Sequence, residues 1–410
     1  LTAAAACGNK RACRAGAHAK FAHAVGVEAV GRGVRAYRWW ATGTQTLVRE
    51  GTFGTTAAGG VPGGSVMSNI LVFRAFCEDA KQFKKRGAVL FADEYKGYDR
   101  QSTMKVLQEF VMRAPPEALL ALVCECLGRT KVQVLTAYGY TKPFWRGNGE
   151  DQGGVDSPHW FNVGNIEESR DIDRVLRERG GYFMGENKEG VMITKKSYVD
   201  DVNVYAAEAG VEEEIGNVMG HGMQRVLNMM ALRCKFFEEG YAVEKMYVMA
   251  VGEEQEEWDR LQFMGQLVKR VTVEEAQRVL GAKMSGDLNT EHQGQKARED
   301  VQEQMQNARR RVRTAEQMRE YIMAKVVSKA LFAVEAAPIE EEVLEQMDKE
   351  IMAAIKQKKG MSKFVSSEAI RESQHGVVSV QAIVAKKVIV ELVVALNGSQ
   401  SRAPVGHQKE

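Results

Sequence analysis

The segment TKKSYVDDVNVYA, residues 194–206, carries two adjacent carboxylates, Asp200 and Asp201, inside an otherwise extended stretch. The apolar residues after this pair fall at alternate positions, which predicts a strand with one apolar face. Two neighbouring negative charges at a half-buried position repel each other and lose hydration. A lone Asp-Asp pair is usually a solvated turn, so this segment indicates a functional site only if other segments agree with it.

A third carboxylate, Asp93, follows the short apolar run GAVLFA, residues 87–92, which predicts a buried strand. Taken alone, Asp93 is an ordinary strand terminus. It lies 107 positions before Asp200, so only a sheet brings the two together. Carboxylates that converge at strand ends require cations, and Mg²⁺ prefers oxygen ligands while keeping sites for water and phosphates. Two such ions, about 4 Å apart, stabilise the attacking and leaving oxygens of a phosphoryl transfer.

The composition is that of an ordinary soluble protein, with 410 residues, 44% hydrophobic and 27% charged. This length predicts two or three subdomains, and the net charge of +2 argues neither for nor against a polyanionic partner. Six cysteines without a C-x-x-C pair, together with seven histidines, argue against a zinc site and suit a reducing compartment. The longest apolar stretch, residues 376–396, contains Lys386, Lys387 and Glu391, which favours a buried amphipathic element over a membrane span.

The secondary-structure pattern changes along the chain. Residues 1–65 are rich in Ala and Gly and weakly patterned, and Ser68 is predicted to cap the helix that follows. Strand and helix patterns then alternate. From residue 273 onward most of the chain shows long charged helical patterns, which places a predicted domain boundary near residue 270.

Three segments resemble the palm motifs of reverse transcriptases in order and spacing. FADEYKGYDR, residues 91–100, resembles the first motif, in which Asp93 is followed five residues later by the aromatic Tyr98. RGNGEDQGGVDSPHWFN, residues 146–162, resembles the second motif, G-x-x-Q-G followed by S-P. YVDD, residues 198–201, matches the third motif.

Two later segments resemble the fourth and fifth motifs. GYAVEKMYVMAVG, residues 240–252, contains Lys245, and LQFMG, residues 261–265, resembles the turn that grips the primer. The order and spacing are most similar to the reverse transcriptases of non-LTR (LINE-type) retrotransposons, over roughly residues 60 to 400.

The resemblance implies a fold class and a domain arrangement. The fold is an α/β (α+β) right-hand polymerase with an antiparallel palm sheet, packed helices, a fingers subdomain and a helical thumb. Residues 1–86 are assigned to partial or divergent fingers, and residues 87–270 to the palm, with a fingers insertion around 111–145. Residues 271–410 are assigned to the helical thumb and a C-terminal helical extension.

The resemblance also implies the catalytic and metal-binding residues. Asp93 and Asp200 are the principal metal ligands, Asp201 assists them, and the backbone carbonyl of Glu94 completes a metal site. The implied cofactor is a pair of Mg²⁺ ions, with Mn²⁺ as a possible substitute.

Four residues are implied to bind the nucleotide. Tyr98 acts as a steric gate that leaves no room for a 2′-OH, while Gln152 and Gly153 line the nucleotide and template side. Lys245 protonates the leaving pyrophosphate. The alternative interpretations remain open: an ordinary packed aromatic, a surface loop and a solvated strand-edge lysine, respectively.

Two more sets of residues are implied to hold nucleic acid. The primer grip is formed by Phe263, Met264 and Gly265, with a purely structural turn as the alternative. The basic cluster ARRRVR, residues 308–313, offers backbone contacts through Arg309, Arg310, Arg311 and Arg313. The alternative for this cluster is a solvated face paired with nearby carboxylates such as Glu303 and Glu316.

The implied function is RNA-directed DNA synthesis by a two-metal-ion mechanism. The implied partners are an RNA template, a DNA primer and deoxynucleoside triphosphates, with no membrane and with further domains of a longer polyprotein. The implied location is intracellular, in the nucleus or cytoplasm as a ribonucleoprotein. The family's basic R-P-I-type segment is not found, and the arginines of residues 31–50 do not follow its pattern. The alternatives are a group II intron-type maturase reverse transcriptase and a catalytically inactive nucleic-acid-binding relic of the same fold.

Overall fold

The computed structural model describes part of the chain, namely residues 59, 65–112, 120, 121, 123, 124, 127, 131–149, 157–178, 180–186, 190–207, 222–252, 258, 260–332, 334, 337–367, 371 and 379–387. The chain divides into two compact units. The first unit comprises Leu1–Asn69 and Phe83–Val271, and the second comprises Ile70–Gln82 and Thr272–Glu410.

The helices are numbered here in chain order as α1 (Val66–Gln82), α2 (Gly97–Arg100), α3 (Thr103–Val111), α4 (Ser157–Gly164), α5 (Ile166–Glu178), α6 (Gly222–Phe237), α7 (Glu291–Arg311), α8 (Ala315–Tyr321), α9 (Ser328–Ala330) and α10 (Glu341–Lys358). A 3₁₀ turn spans Val243–Lys245, and a π-helical turn, Ile322–Val327, joins α8 to α9.

The strands are numbered in the same way as β1 (Gly87–Asp93), β2 (Lys131–Val132), β3 (Leu135–Thr136), β4 (Gly139–Tyr140), β5 (Phe144–Trp145), β6 (Tyr182–Phe183), β7 (Met192–Ile193), β8 (Lys195–Tyr198), β9 (Asp201–Ala207), β10 (Tyr247–Val251), β11 (Gln262–Phe263), β12 (Gln266–Leu267), β13 (Lys269–Val271), β14 (Gln277–Val279) and β15 (Ala282–Met284).

Helix α1 begins before Ser68, its predicted cap. Its first residue is Val66, and the Oγ of Ser65 accepts a hydrogen bond from the backbone N–H of Met67 at 3.1 Å. The hydroxyl of Ser68 donates to the Ser65 carbonyl at 2.6 Å instead of capping the helix. The predicted capping role of Ser68 is therefore wrong, because Ser65 satisfies an N–H group of the first turn.

A five-stranded sheet, in the order β13-β10-β1-β9-β8, forms the centre of the first unit. Strand β1 is antiparallel to both β9 and β10, and β8 is antiparallel to β9. Strand β13 runs parallel to β10, so the predicted all-antiparallel sheet is wrong at this edge. A parallel neighbour requires a long connection, and the chain between β10 and β13 has that length and includes the β11–β12 hairpin.

One face of this sheet packs against α5 and α6. Side chains from alternate positions of the strands share a core with residues of both helices: Ala88, Leu90, Ala92, Val202, Val204, Ala206, Val248, Ala250, Ile172, Leu176, Met223, Val226, Leu227 and Met230. Successive side chains of a strand leave opposite faces. The predicted apolar face of the segment at 194–206 is confirmed, and the carboxylates Asp93 and Asp201 lie on the other face.

The second unit has its own core, built mainly from α7, the helical segments that follow it, and α10. Helices α7 and α10 lie side by side and run parallel, since Gln302 bonds Glu350 at 3.0 Å and the Lys358 ammonium bonds the Arg309 carbonyl at 3.3 Å. This unit also contains the hairpin β14–β15, so the chain after residue 271 is not purely helical. The assignment of fingers, palm and thumb stays a prediction.

Two predictions about the chemistry of the chain can be compared with the described residues. No helix among them is long and apolar enough to cross a membrane. Their cysteines, Cys77, Cys124 and Cys234, are free thiols, and two of the three are buried.

Candidate active site

The hairpin β8–β9 presents the YVDD segment at the end of the sheet. Tyr198 pairs with Asp201, which leaves Val199 and Asp200 as a two-residue turn. Val199 has a φ of 58°, a left-handed conformation that is strained for a β-branched residue. The Asp200 carbonyl accepts a hydrogen bond from the backbone N–H of Glu94 at 3.0 Å. This bond ties the hairpin turn to the end of β1.

The sheet brings together the three carboxylates predicted as metal ligands. Asp93 lies directly opposite Asp201 in the β1–β9 register, and Asp200 is one residue away in the turn. Asp93 and Asp200 are half-buried, whereas Asp201 is exposed. Burial raises the pKa of the Asp200 carboxyl, and the neighbouring charge of Asp93 raises it further. The two half-buried carboxylates therefore lie close enough to repel each other.

Lys245 compensates part of this negative charge. It ends the 3₁₀ turn Val243–Lys245, and its ammonium donates a hydrogen bond to Oδ2 of Asp93. This bond, together with the charge of Asp93, raises the pKa of Lys245. The Lys245 side chain is 63% exposed, so the ion pair contributes little to stability. The ammonium of Lys245 thus reaches Asp93, while its role towards a nucleotide stays a prediction.

The donor set of this site suits Mg²⁺ in its chemistry. Within the part of the chain that the structure describes, no group of three or more His, Cys, Asp or Glu side chains is placed to hold a metal ion. Polymerase sites usually bind Mg²⁺ through one or two carboxylates plus water and substrate phosphates, without an all-protein cage. Asp93 and Asp200, two half-buried oxygen donors with mutual repulsion, fit that pattern. The Glu94 carbonyl, the backbone oxygen predicted to complete a metal site, accepts a hydrogen bond from the Gly97 N–H at 3.2 Å.

The predicted gate residue, Tyr98, lies beside the same turn. It belongs to α2, and its ring is 5.1 Å from the ring of Phe161, centroid to centroid. A Cβ added at the preceding Gly97 would lie 2.8 Å from Cε2 of Phe161 and 3.4 Å from Cβ of Asp200. Only glycine allows this close approach, which brings the backbone just before Tyr98 against the Asp200 turn.

The beginning of the second motif contacts the first. Gly149 has a φ of 87°, and a Cβ there would lie 2.3 Å from the carbonyl oxygen of Asp99. Its N–H donates to the Gln101 carbonyl at 2.9 Å, and the Gln101 amide donates to the Phe161 carbonyl at 2.9 Å. The first two motifs are therefore adjacent in space. Gln152 and Gly153 lie outside the described residues.

The predicted primer grip is a tight hairpin. Phe263 is buried, and Met264 and Gly265 form a two-residue turn between β11 and β12 with φ values of 51° and 80°. Positive φ at both turn residues is typical of a type I′ turn. The amide of Gln224 on α6 bonds both the N–H and the carbonyl of Gln262, each at 2.8 Å. These bonds attach the hairpin to α6, while its role in gripping a primer stays a prediction.

A buried polar network lies under the first motif, and the sequence did not predict it. Lys105, only 1% exposed, donates to Oδ1 of Asn165 and to Oε2 of Glu239, both at 2.7 Å. Asn165 then donates to Oε1 of Glu94 at 2.9 Å. Burial raises the pKa of Glu94 to about 8, although Lys105 opposes the shift. The residue after Asp93 is therefore anchored through its side chain.

The network continues to α5 and β8. Glu168 accepts hydrogen bonds from the Tyr241 hydroxyl at 2.6 Å and from the Lys195 ammonium at 3.3 Å. Burial acts to raise the pKa of Glu168, but the ammonium groups of Lys195 and Lys105 outweigh it and lower the pKa. One feature of the sequence could have pointed to this network. Strand alternation places the charged Lys195 on the apolar face, opposite Val204.

The four basic residues predicted to contact nucleic-acid backbones belong to the second unit. Arg309, Arg310 and Arg311 form the last turn of α7, and Arg313 follows it; all four are exposed. Among the described residues, none of these guanidinium groups forms an ion pair, and Glu303 pairs with Lys329 instead. Cations also stabilise the end of a helix, so both interpretations of this cluster remain open.

Comparisons with known proteins give no family. No family model matches the chain, and no curated protein matches it. Apo telomerase from Candida Tropicalis is similar with a TM-score of 0.43 and 10% identity, covering 92% of this chain and 60% of that chain. Telomerase from Candida albicans in complex with a TWJ fragment of telomeric RNA has a TM-score of 0.40 and 9% identity, covering 83% and 56%.

A C-terminally truncated apo telomerase from Candida Tropicalis has a TM-score of 0.38 and 13% identity, covering 58% of this chain and 43% of that chain. The chain thus spans about half the length of the telomerase structures it matches.

Proposed function

We propose that the chain is an RNA-directed DNA polymerase of the non-LTR retrotransposon type. The observation that carries this proposal is the position of Asp200, which the Glu94–Asp200 hydrogen bond and the close approach of Gly97 hold beside Asp93 and Tyr98. Two half-buried carboxylates that lie close together lose hydration and repel each other, and a purely structural turn does not require them. A nucleotidyl-transfer site does require them, because the carboxylates bind cations.

In this proposal Asp93 and Asp200 hold the metal ions, with Asp201 and the Glu94 carbonyl as supporting donors. Two Mg²⁺ ions, or Mn²⁺ in their place, supply charge stabilisation to the attacking and leaving oxygens when bound. The exposed position of Asp201 suits a supporting role, since it carries less of the desolvation cost than the other two carboxylates.

The remaining roles follow from position. Tyr98 packs on Phe161 beside the carboxylates, where its ring would contact the sugar of an incoming deoxynucleotide. In the proposal, Lys245, whose ammonium reaches Asp93, is the residue that donates a proton to the leaving pyrophosphate. The partners are an RNA template, a DNA primer and deoxynucleoside triphosphates, and the proposed location is intracellular, as a ribonucleoprotein.

Primer extension by the purified chain tests this function. With a poly(rA) template, an oligo(dT) primer, dTTP and Mg²⁺, we expect extension by the wild type. Asp200→Asn removes a metal-binding charge while keeping the shape, and should lower the rate by more than about 100-fold. Glu244→Gln is the matched control, because Glu244 is an exposed acid next to Lys245. Loss of extension in both variants, or in neither, would contradict the proposal.

A further inference from the structure

A two-stranded ribbon, residues 131–146, precedes the second motif. Strand β2 pairs with β5, and β3 pairs with β4 at the tip. The side between Tyr140 and Phe144 has one residue more than the side between Val132 and Leu135, so the ribbon contains a bulge near Pro143. Among the described residues, neither pair of strands adds a third strand.

The ribbon concentrates exposed aromatic rings. Tyr138 is 100% exposed, Tyr140 71%, Trp145 60% and Phe144 49%. Four of the seven large aromatic residues that are exposed in the described part of the chain therefore lie within eight positions. Exposed apolar groups at this density mark an interaction surface.

The charge of the ribbon has one sign only. The sequence contains no Asp or Glu between Glu125 and Glu150, a stretch that includes the exposed Lys131 and Lys142. The Lys131 ammonium lies 4.6 Å from the centroid of the Trp145 ring, in a cation–π arrangement. Cations interleaved with exposed rings complement a strand of phosphates and bases, because the rings stack on bases while the cations pair with phosphates.

The ribbon leads directly to the candidate active site. Gly149 contacts the backbone of Asp99 and bonds Gln101, beside α2 and Tyr98. Gly149 is four positions after Trp145, so the two lie within roughly 14 Å of each other. A nucleic-acid strand that leaves the site would reach the ribbon within a few nucleotides.

The ribbon also opposes pairing with a second copy of itself. Lysines at positions 131 and 142 and a proline at 143 lie along it. Charged residues and proline are the features that protect exposed strands from edge-to-edge association.

We propose that residues 131–146 bind single-stranded nucleic acid, whose bases stack on Tyr138, Tyr140, Phe144 and Trp145 and whose phosphates pair with Lys131 and Lys142. The assignment of that strand as the unpaired part of an RNA template rests on the proposed polymerase function. Binding itself requires neither metal ions nor catalysis.

The test is fluorescence anisotropy of the full chain with fluorescein-labelled oligo(rU) and oligo(dT), without divalent cations. Tyr140→Ala and Trp145→Ala should each weaken binding by about tenfold, while Trp145→Phe, which keeps a ring, should stay close to wild type. Phe236→Ala is the matched control, because Phe236 is 77% exposed on α6, outside the ribbon. Its affinity should equal that of the wild type.

The salt dependence tests the two lysines separately. Replacing both Lys131 and Lys142 with Ala should reduce the slope of log K against log[salt] by about 1.4, since each phosphate contact contributes about 0.7 for a single strand. Lys235→Ala, an exposed lysine on α6, should leave the slope unchanged. Circular dichroism should show the same folded spectrum for every variant, because the altered side chains are exposed.

Several outcomes would overturn the ribbon proposal. The first is wild-type affinity in the Ala variants. The second is tighter binding of duplex than of single strands. The third is that the Ala variants lose binding to vesicles of phosphatidylserine and phosphatidylcholine but keep their affinity for the oligonucleotides. Weakened binding of oligo(rU) and oligo(dT) alike supports it.

If Asp200→Asn abolishes extension while ribbon variants bind normally, the ribbon proposal alone fails. If the wild type shows no extension while the ribbon variants lose binding, the polymerase proposal alone fails.

Discussion

The backbone N–H of Glu94 donates a hydrogen bond to the carbonyl of Asp200 at 3.0 Å, while the Glu94 side chain accepts one from Asn165. Because side chains alternate along a strand, Asp93 and Glu94 leave opposite faces of the sheet. Glu94 therefore connects the buried polar network on one side to the carboxylate turn on the other. Changes in the network should reach the candidate site through this residue.

The contact between Gly97 and its neighbours leads to the first prediction. Gly97→Ala places a methyl group 2.8 Å from the Phe161 ring and 3.4 Å from Asp200, so the site must shift. We expect a loss of about 1–3 kcal/mol in the free energy of unfolding and reduced primer extension. Urea unfolding and steady-state extension measure the two effects. Gly147→Ala is the control, because a Cβ there meets no atom within 4 Å.

The buried ammonium of Lys105 leads to the second prediction. Lys105→Met removes the cation that bonds Asn165 and Glu239, and leaves the Glu239 carboxylate without its buried partner. Breaking such a pair costs about 3–5 kcal/mol, which urea unfolding would detect. Lys235→Met alters an exposed lysine and should change stability by less than about 0.5 kcal/mol. Equal stabilities for the two variants would contradict the structural role of Lys105.

The carboxyl of Glu94 leads to a prediction about pH. Its pKa is about 8 in the folded chain, above the ordinary value of 4.5, so the folded state holds a proton that the unfolded state releases. The associated stability is present below pH 4.5 and is lost as the pH rises towards 8. Glu94→Gln keeps the hydrogen bond from Asn165 and cannot ionise. The stability of the wild type relative to this variant should therefore fall across that range.

Urea unfolding in EDTA, at several pH values between 4.5 and 8, measures this difference. Asn165→Ala serves as a second variant, since it removes the bond to Glu94 while leaving the carboxyl able to ionise. The pH dependence should persist in Asn165→Ala and disappear in Glu94→Gln. A parallel pH profile for the wild type and Glu94→Gln would show that Glu94 is already ionised in the folded chain.

Some of this fold follows directly from local sequence patterns. The alternation of apolar residues after Asp201 predicted the core face of β9, and the run at 87–92 predicted β1, because strand periodicity is a local property. The meeting of Asp93 and Asp201 was less local. It depended on the motif resemblance, because residues so far apart in sequence are paired only by the sheet register.

Other features could not be predicted because they depend on tertiary partners. Lys195 and Glu168 bond across elements that are 27 residues apart, and each alone is an ordinary charged residue. The parallel pairing of β13 follows from the path of the crossover, which composition does not encode. Whether Ser65 or Ser68 accepts a bond from the first turn of α1 depends on where the helix begins within a single turn. Helix ends are least predictable at that scale.

The ring of Tyr98 leads to the last prediction, which belongs to the proposed polymerase. The Tyr98 ring lies 5.1 Å from that of Phe161, and Gly97, the residue before it, closely approaches Asp200. In the proposed site Tyr98→Ala therefore opens space where a 2′-OH would otherwise meet the ring. We expect the use of ribonucleotides relative to deoxynucleotides to rise by about 10–100-fold, the usual discrimination available against an added hydroxyl. Tyr98→Phe should keep the wild-type ratio, since the ring remains. Tyr95→Ala, which removes an exposed ring nearby, is the control and should also keep it. Competition between rUTP and dTTP in primer extension measures the ratio, and an unchanged ratio in Tyr98→Ala would leave Tyr98 as an ordinary packed aromatic.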